Sequence, residues 1–149
     1  MERGDHAAVL SHYAPDVVLH SPLITTAFEG HQAVSELMEV VLEKFEGMRH
    51  TGEAGTDELQ MLAFHARVRG REIDVVDVMR MNDDGLVADI TIHIRPMAGL
   101  AAVAAALGPP LARKRGRIGP LVLAVLSAPL PPLLSLMDPI VRRFVKLRA

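Results

Sequence analysis

The chain has 149 residues, half of them apolar and 23% charged, which excludes global disorder and fits a single fold with a real core. It has no cysteine, so disulfide frameworks, thiolate catalysis and thiolate metal sites are excluded together. The net charge of −2 divides into −9 over residues 1–112 and +7 over residues 113–149, an acidic body with a basic tail. One Tyr, four Phe and no Trp on an acidic body argue against nucleic-acid stacking.

The start, "MERGDHAAV", has no apolar signal-peptide core, so a cytoplasmic protein is expected. "GDHAAVLSHYAP" reads as a short helix, capped by Asp5 and stopped by Pro15. "DVVLHSP" is a brief strand ending at Pro22, and "LITTAFEG" is a loop. The clearest helix runs from about His31 to Glu46, where Val34, Leu37, Met38, Val41, Leu42 and Phe45 step by three and four and Gly47 follows as C-cap.

From His50 the period shortens. "HTGEAGTDE" is a weak strand or an edge loop, and "LQMLAFHARVRG" alternates, with His65 and Arg67 opposite Leu62 and Phe64. "REIDVVDVMRM" and "LVADITIHIRP" follow as strands joined by the hairpin turn "NDDG". Two helices and then an antiparallel meander describe an α+β domain. After Pro96, "AGLAAVAAALG" reads as a helix ending at "GPP". Beyond it lie the basic cluster "RKRGR" and twenty uncharged residues, Ile118 to Met137, broken by four prolines. The expected division is a domain over 1–97 and a helical, apolar and basic extension over 98–149. That extension either packs on the body or on a second subunit, or lies on an anionic membrane surface.

"GD" before the first helix, "HSP" after the first strand, "FEGHQAV" opening the long helix and "DDGLVADITIHIRP" at the end resemble the nuclear transport factor 2-like superfamily. That superfamily includes SnoaL-like cyclases, limonene epoxide hydrolases and ketosteroid isomerases. The resemblance covers about Gly4 to Pro96 and implies a curved antiparallel sheet wrapped around helices to form a conical pocket. Gly4-Asp5, Ser21-Pro22 and Gly30 fall on the framework of the ketosteroid isomerases. Their catalytic carboxylic acid, kept neutral by an apolar site, falls on Asp77 within "VDVMRMN". In the same alignment Ser21 stands where the general-base aspartate would be, and the oxyanion-hole tyrosine falls upstream of Met1, in a first helix truncated here. Ile92 stands where the cyclases and hydrolases carry a final-strand aspartate. The resemblance also implies a homodimer through the outer sheet face, where His93 and Arg95 point.

Period-two geometry puts Ile73, Val75, Asp77, Met79 and Met81 on one strand face, and the resemblance makes that the pocket face with Ile90, Ile92 and Ile94. An acid walled by Met and Ile would lose its hydration and gain a raised pKa. The bland alternative pairs Asp77 with Arg67 or Arg95. His20 and His65 lie on strands near the expected pocket and are the candidate bases, weighed against ordinary hydrogen-bonded or exposed histidines. Tyr13 could supply a hydroxyl donor near the cone or simply pack from its helix. The expected set is therefore Asp77, His20 and His65 for catalysis, with Tyr13, Ser21, Val75, Met79, Ile90 and Ile92 contacting a small apolar or lipid-like molecule. No HxxxH or HExxH pair and no phosphate or dinucleotide motif occurs, so neither metal nor cofactor is expected. The function so read is proton transfer in isomerisation, cyclisation or hydrolysis; the alternative is a non-catalytic binding or dimerisation module.

Overall fold

The computed structural model describes residues 10–114. In chain order these form β1 (Tyr13–His20), β2 (Phe28–Glu29), α1 (His31–Lys44), β3 (Glu46–Gly55), β4 (Leu59–Val68), β5 (Arg71–Met81), β6 (Val87–Arg95) and α2 (Met97–Lys114). The strands form one six-stranded sheet in the order β2-β1-β6-β5-β4-β3. All pairings are antiparallel except β1 with β6, which is parallel, so the expected all-antiparallel sheet is in fact mixed.

The expected first helix reaches the described residues only at Leu10, and Tyr13 and Ala14 already belong to β1. Pro15 gives the reason: the residue before a proline is pushed out of the α region, so the chain extends there. Tyr13 is therefore a strand residue. β1 then sends Val17 and Leu19 inward, both fully buried.

α1 begins after Gly30, whose φ of +83° suits a residue without Cβ. Its buried stripe of Val34, Leu37, Val40 and Val41 follows the helical period. The helix stops at Lys44, because Phe45 turns extended and buries its ring, and Gly47 lies within β3 rather than capping the helix.

Two hairpins set the sheet register. Arg69 and Gly70 both have positive φ, as a two-residue turn between twisted strands requires. At "NDDG", the Asn82 side-chain oxygen accepts from the amides of Asp84 and Leu86 at 3.1 and 2.9 Å, and Gly85 takes the positive φ. Asp77 is thereby placed between Leu62 on β4 and Ile92 on β6.

α2 does not end at Gly108; it runs through Pro109 and Pro110. A proline at 109 removes the amide that would bond to the carbonyl four residues back, at Ala105. Arg69 supplies the substitute, donating from its guanidinium to the Ala105 oxygen at 3.2 Å. Small residues let this helix approach closely: a Cβ on Gly99 would collide with Ile73. Val103, Ala106 and Leu107 join the core formed by α1 and the sheet, so the first turns beyond the expected boundary at 97/98 pack with the body. Each fully buried aliphatic side chain there, such as Ile73 or Val103, contributes about 2 kcal/mol by leaving water. The extension from residue 115 onward, with Ile118 to Met137, lies outside the described residues, as do residues 1–9. Among the described residues no helix is long and apolar enough to cross a membrane.

Candidate functional site

The inner sheet face and the two helices do not close completely. Between them lies a cavity of about 580 Å³, walled by Leu37 and Val41 of α1, Phe64 and Ile94 of the sheet, and Val103 and Leu107 of α2. Four methionines, Met38, Met48, Met79 and Met81, also border it. The polar residues on its boundary are His12, Tyr13, Ser21, Arg49, His50, Gln60 and Asp77.

Asp77 lies on the inward face of β5, with Leu62 and Ile92 as cross-strand neighbours and Val75 and Met79 two residues away. One of its oxygens, Oδ1, is buried with no hydrogen-bond partner among the described residues. Burial away from water pushes its pKa up to about 7. The arginines that might have neutralised it are engaged elsewhere. Arg67 pairs with Glu72 at 3.3 Å and Arg95 with Asp74 at 3.4 Å, both across the outer face.

Tyr13, almost fully buried, borders the same space. Burial first, and then the charge of Asp77, raise its pKa to about 12. The phenol therefore stays protonated and can donate, and the two groups sense one another electrostatically. Ser21 continues β1 beyond its last paired residue, His20 opposite Thr91, and its Oγ accepts from the Leu23 amide at 3.2 Å. That leaves its hydroxyl proton for another acceptor.

Of the expected contact residues, Tyr13, Ser21, Val75, Met79 and Ile92 border the cavity with Asp77. Ile90 does not; it is 3% exposed and packed in the core. Neither expected base reaches the cavity. His20 points to the other side and meets Asp89 at 3.0 Å. His65 alternates with the inward Phe64 and is held on the outer face by Asp74 at 3.0 Å and Glu72 at 2.6 Å. Those two hydrogen bonds, Asp74 foremost, raise its pKa. The imidazoles that do border the cavity are His12 and His50.

Sequence reasoning missed these for a physical reason. His12 lies in the segment read as a helix. β3 carries register irregularities between Glu46 and Arg49 and again between His50 and Gly52, which break the period-two pattern that would have placed its side chains. Among the described residues no group of three or more His, Asp or Glu side chains could hold a metal ion.

Comparison with known proteins adds the family. The family model for the SnoaL-like domain matches residues 1–90. The chain belongs to the SnoaL-like domain family. Its fold resembles a steroid delta-isomerase from Pseudomonas aeruginosa at 31% identity and TM-score 0.65, covering 76% of this chain and 82% of that one. An uncharacterised protein with a cystatin-like fold from Silicibacter pomeroyi DSS-3 superposes at TM-score 0.67 and 20% identity, over 84% and 86% of the two chains. SalBIII, an epoxide hydrolase/cyclase-like enzyme in pyran ring formation in the polyether salinomycin, gives TM-score 0.51 at 14% identity, over 62% and 79%. These last two likenesses concern the fold. No curated protein matches this SnoaL-like chain.

Proposed function

We propose that this SnoaL-like domain binds a small apolar molecule in its cavity and transfers a proton to it through Asp77. The observation that carries the reading is the Asp77 carboxyl, bordering an apolar cavity with one oxygen unpaired and its pKa near 7. Such a group is a neutral donor below that pH and a carboxylate base above it, the range in which general acid–base catalysis operates. Tyr13 and Ser21 supply further hydroxyl donors for a carbonyl or hydroxyl oxygen of the ligand. The reaction class is isomerisation, cyclisation or hydrolysis by proton transfer, with His12 or His50 as counter-group and no cofactor. Likeness to a steroid delta-isomerase at 31% identity supports that class.

A second reading, a non-catalytic binding module, is favoured by the positions of His20 and His65 away from the cavity. Both readings include a homodimer through the outer sheet face, and use residues 113–149 for contact with a partner or a membrane surface.

Hydrogen–deuterium exchange at the acidic carbons of a bound cyclic enone separates the two. The Asp77→Asn variant should bind within about threefold of wild type yet lose exchange by about a hundredfold, the scale of one general acid–base group. Exchange unchanged in that variant would remove catalysis by Asp77. A wild type that binds without exchanging would select the binding module.

A further inference from the structure

The cross-strand register of the sheet lines up two polar side chains on one apolar floor. Asp77 pairs with Leu62 on β4 and with Ile92 on β6. β1 runs parallel to β6 with Leu19 opposite Ile90 and His20 opposite Thr91, so the next residue, Ser21, falls beside Ile92. The facing agrees: Leu19 is fully buried, His20 turns outward to Asp89, and Ser21 returns to the inner side. Leu62, Asp77, Ile92 and Ser21 make one row across the sheet, and all four border the cavity.

Ile92 separates the two polar members, and two inter-strand spacings put their backbones about 10 Å apart. The Ser21 hydroxyl has a defined polarity. Its oxygen accepts from the Leu23 amide at 3.2 Å, and among the described residues no acceptor takes its proton. A serine has one O–H to give, so the hydroxyl is left as a donor at the cavity boundary. Asp77 presents an oxygen with no partner among the described residues. A ligand lying along the row meets one polar handle at each end and an isoleucine between them. Tyr13 stands outside the row, paired with Val87 at the other end of β1.

We propose that Ser21 donates a hydrogen bond to a second oxygen of the ligand, remote from the one that meets Asp77, and so selects apolar ring systems oxygenated at both ends. This rests on the reading of the cavity as a ligand site and adds the class of ligand: a neutral skeleton with two carbonyl or ether oxygens. A ligand with a single oxygen leaves the Ser21 hydroxyl unpaired against apolar walls. A donor left without an acceptor opposes binding, whereas an apolar wall takes either skeleton equally well.

The test uses the full chain loaded with the uncharged fluorophore N-phenyl-1-naphthylamine. The competitors are a bicyclic enedione with one carbonyl on each ring, and the enone of the same skeleton that lacks the second carbonyl. Water hydrates that second carbonyl in the free ligand, so the quantity read is the ratio of the two displacement concentrations, compared between wild type and variant. Ser21→Ala should change the ratio by about fivefold, the scale of one neutral hydrogen bond, by weakening the enedione alone. Ser21→Cys, whose thiol is a weak donor, should move it in the same direction and serves where the alanine variant does not fold. A ratio unchanged in both variants, or a loss that falls equally on both competitors, overturns the Ser21 assignment while cavity binding stands. Failure of the dye and both competitors to bind the wild type overturns both readings.

Discussion

A carboxyl whose folded pKa lies near 7 and whose ordinary value is 3.8 ties the stability of the fold to pH. The folded state holds its proton more tightly, so between about 3.8 and about 7 the unfolded chain ionises first and stability falls as pH rises; above that window the loss is complete. Its ceiling is about 4 kcal/mol, at about 1.4 kcal/mol per pKa unit. His65 acts in the same direction for a different reason: its raised pKa means that the stabilisation from Asp74 and Glu72 is present below 6.5 and is lost as pH climbs past its folded value. Asp77→Asn should therefore raise the melting temperature at pH 8 far more than at pH 4, flattening the profile. Tyr13 gives an independent readout, since it is the single tyrosine and the chain has no tryptophan. Its emission should show a step near pH 7 in the wild type, as the neighbouring carboxyl ionises, and none in Asp77→Asn. A step that persists in the variant would assign the titration to another group.

Among the elements, α2 shows how a helix crosses two consecutive prolines. Arg69 sits at φ +50° in the β4–β5 turn and lends its guanidinium to the carbonyl that Pro109 leaves without a donor. Arg69→Met keeps the stem and the backbone demand but removes that hydrogen bond. It should cost about 1–2 kcal/mol in urea unfolding, the value of a hydrogen bond to a half-buried group. An unchanged midpoint would mean that solvent serves the Ala105 carbonyl equally well. This contact also explains what the sequence could and could not reveal. The alternation of "IDVVDVMRM" placed Asp77 on the inner face, because a two-residue period survives any curvature of the sheet. "GPP" reads as a stop, yet the helix continues, because the group that lets it do so is 36 residues away. Tyr13 reads as a helix residue from its neighbours, although Pro15 two positions later favours the extension that β1 shows. Ile90 shares its face with Ile92 yet lies in the core, a difference of depth that alternation does not encode.

For the whole molecule, the proposed assembly falls on the outer sheet face. Met61 is 42% exposed there and pairs with Val78, while His20–Asp89 on one side and the His65–Asp74–Glu72 group with Arg95 on the other flank the strip. The proposed homodimer would cover that strip. Light scattering of the full chain should give twice the monomer mass of 16.2 kDa, and Met61→Asp should return it to the monomer. A monomeric wild type would discard the dimer without touching the cavity. The methionine lining of that cavity has its own consequence. Four thioethers on unbranched stems adjust to a guest's outline more readily than branched side chains do. On the proposed reading as a ligand site, a lining of this kind would tolerate guests of many shapes and leave discrimination to its few fixed polar contacts. Peroxide would stiffen and wet the same upholstery, so oxidation should weaken binding of the proposed apolar guest.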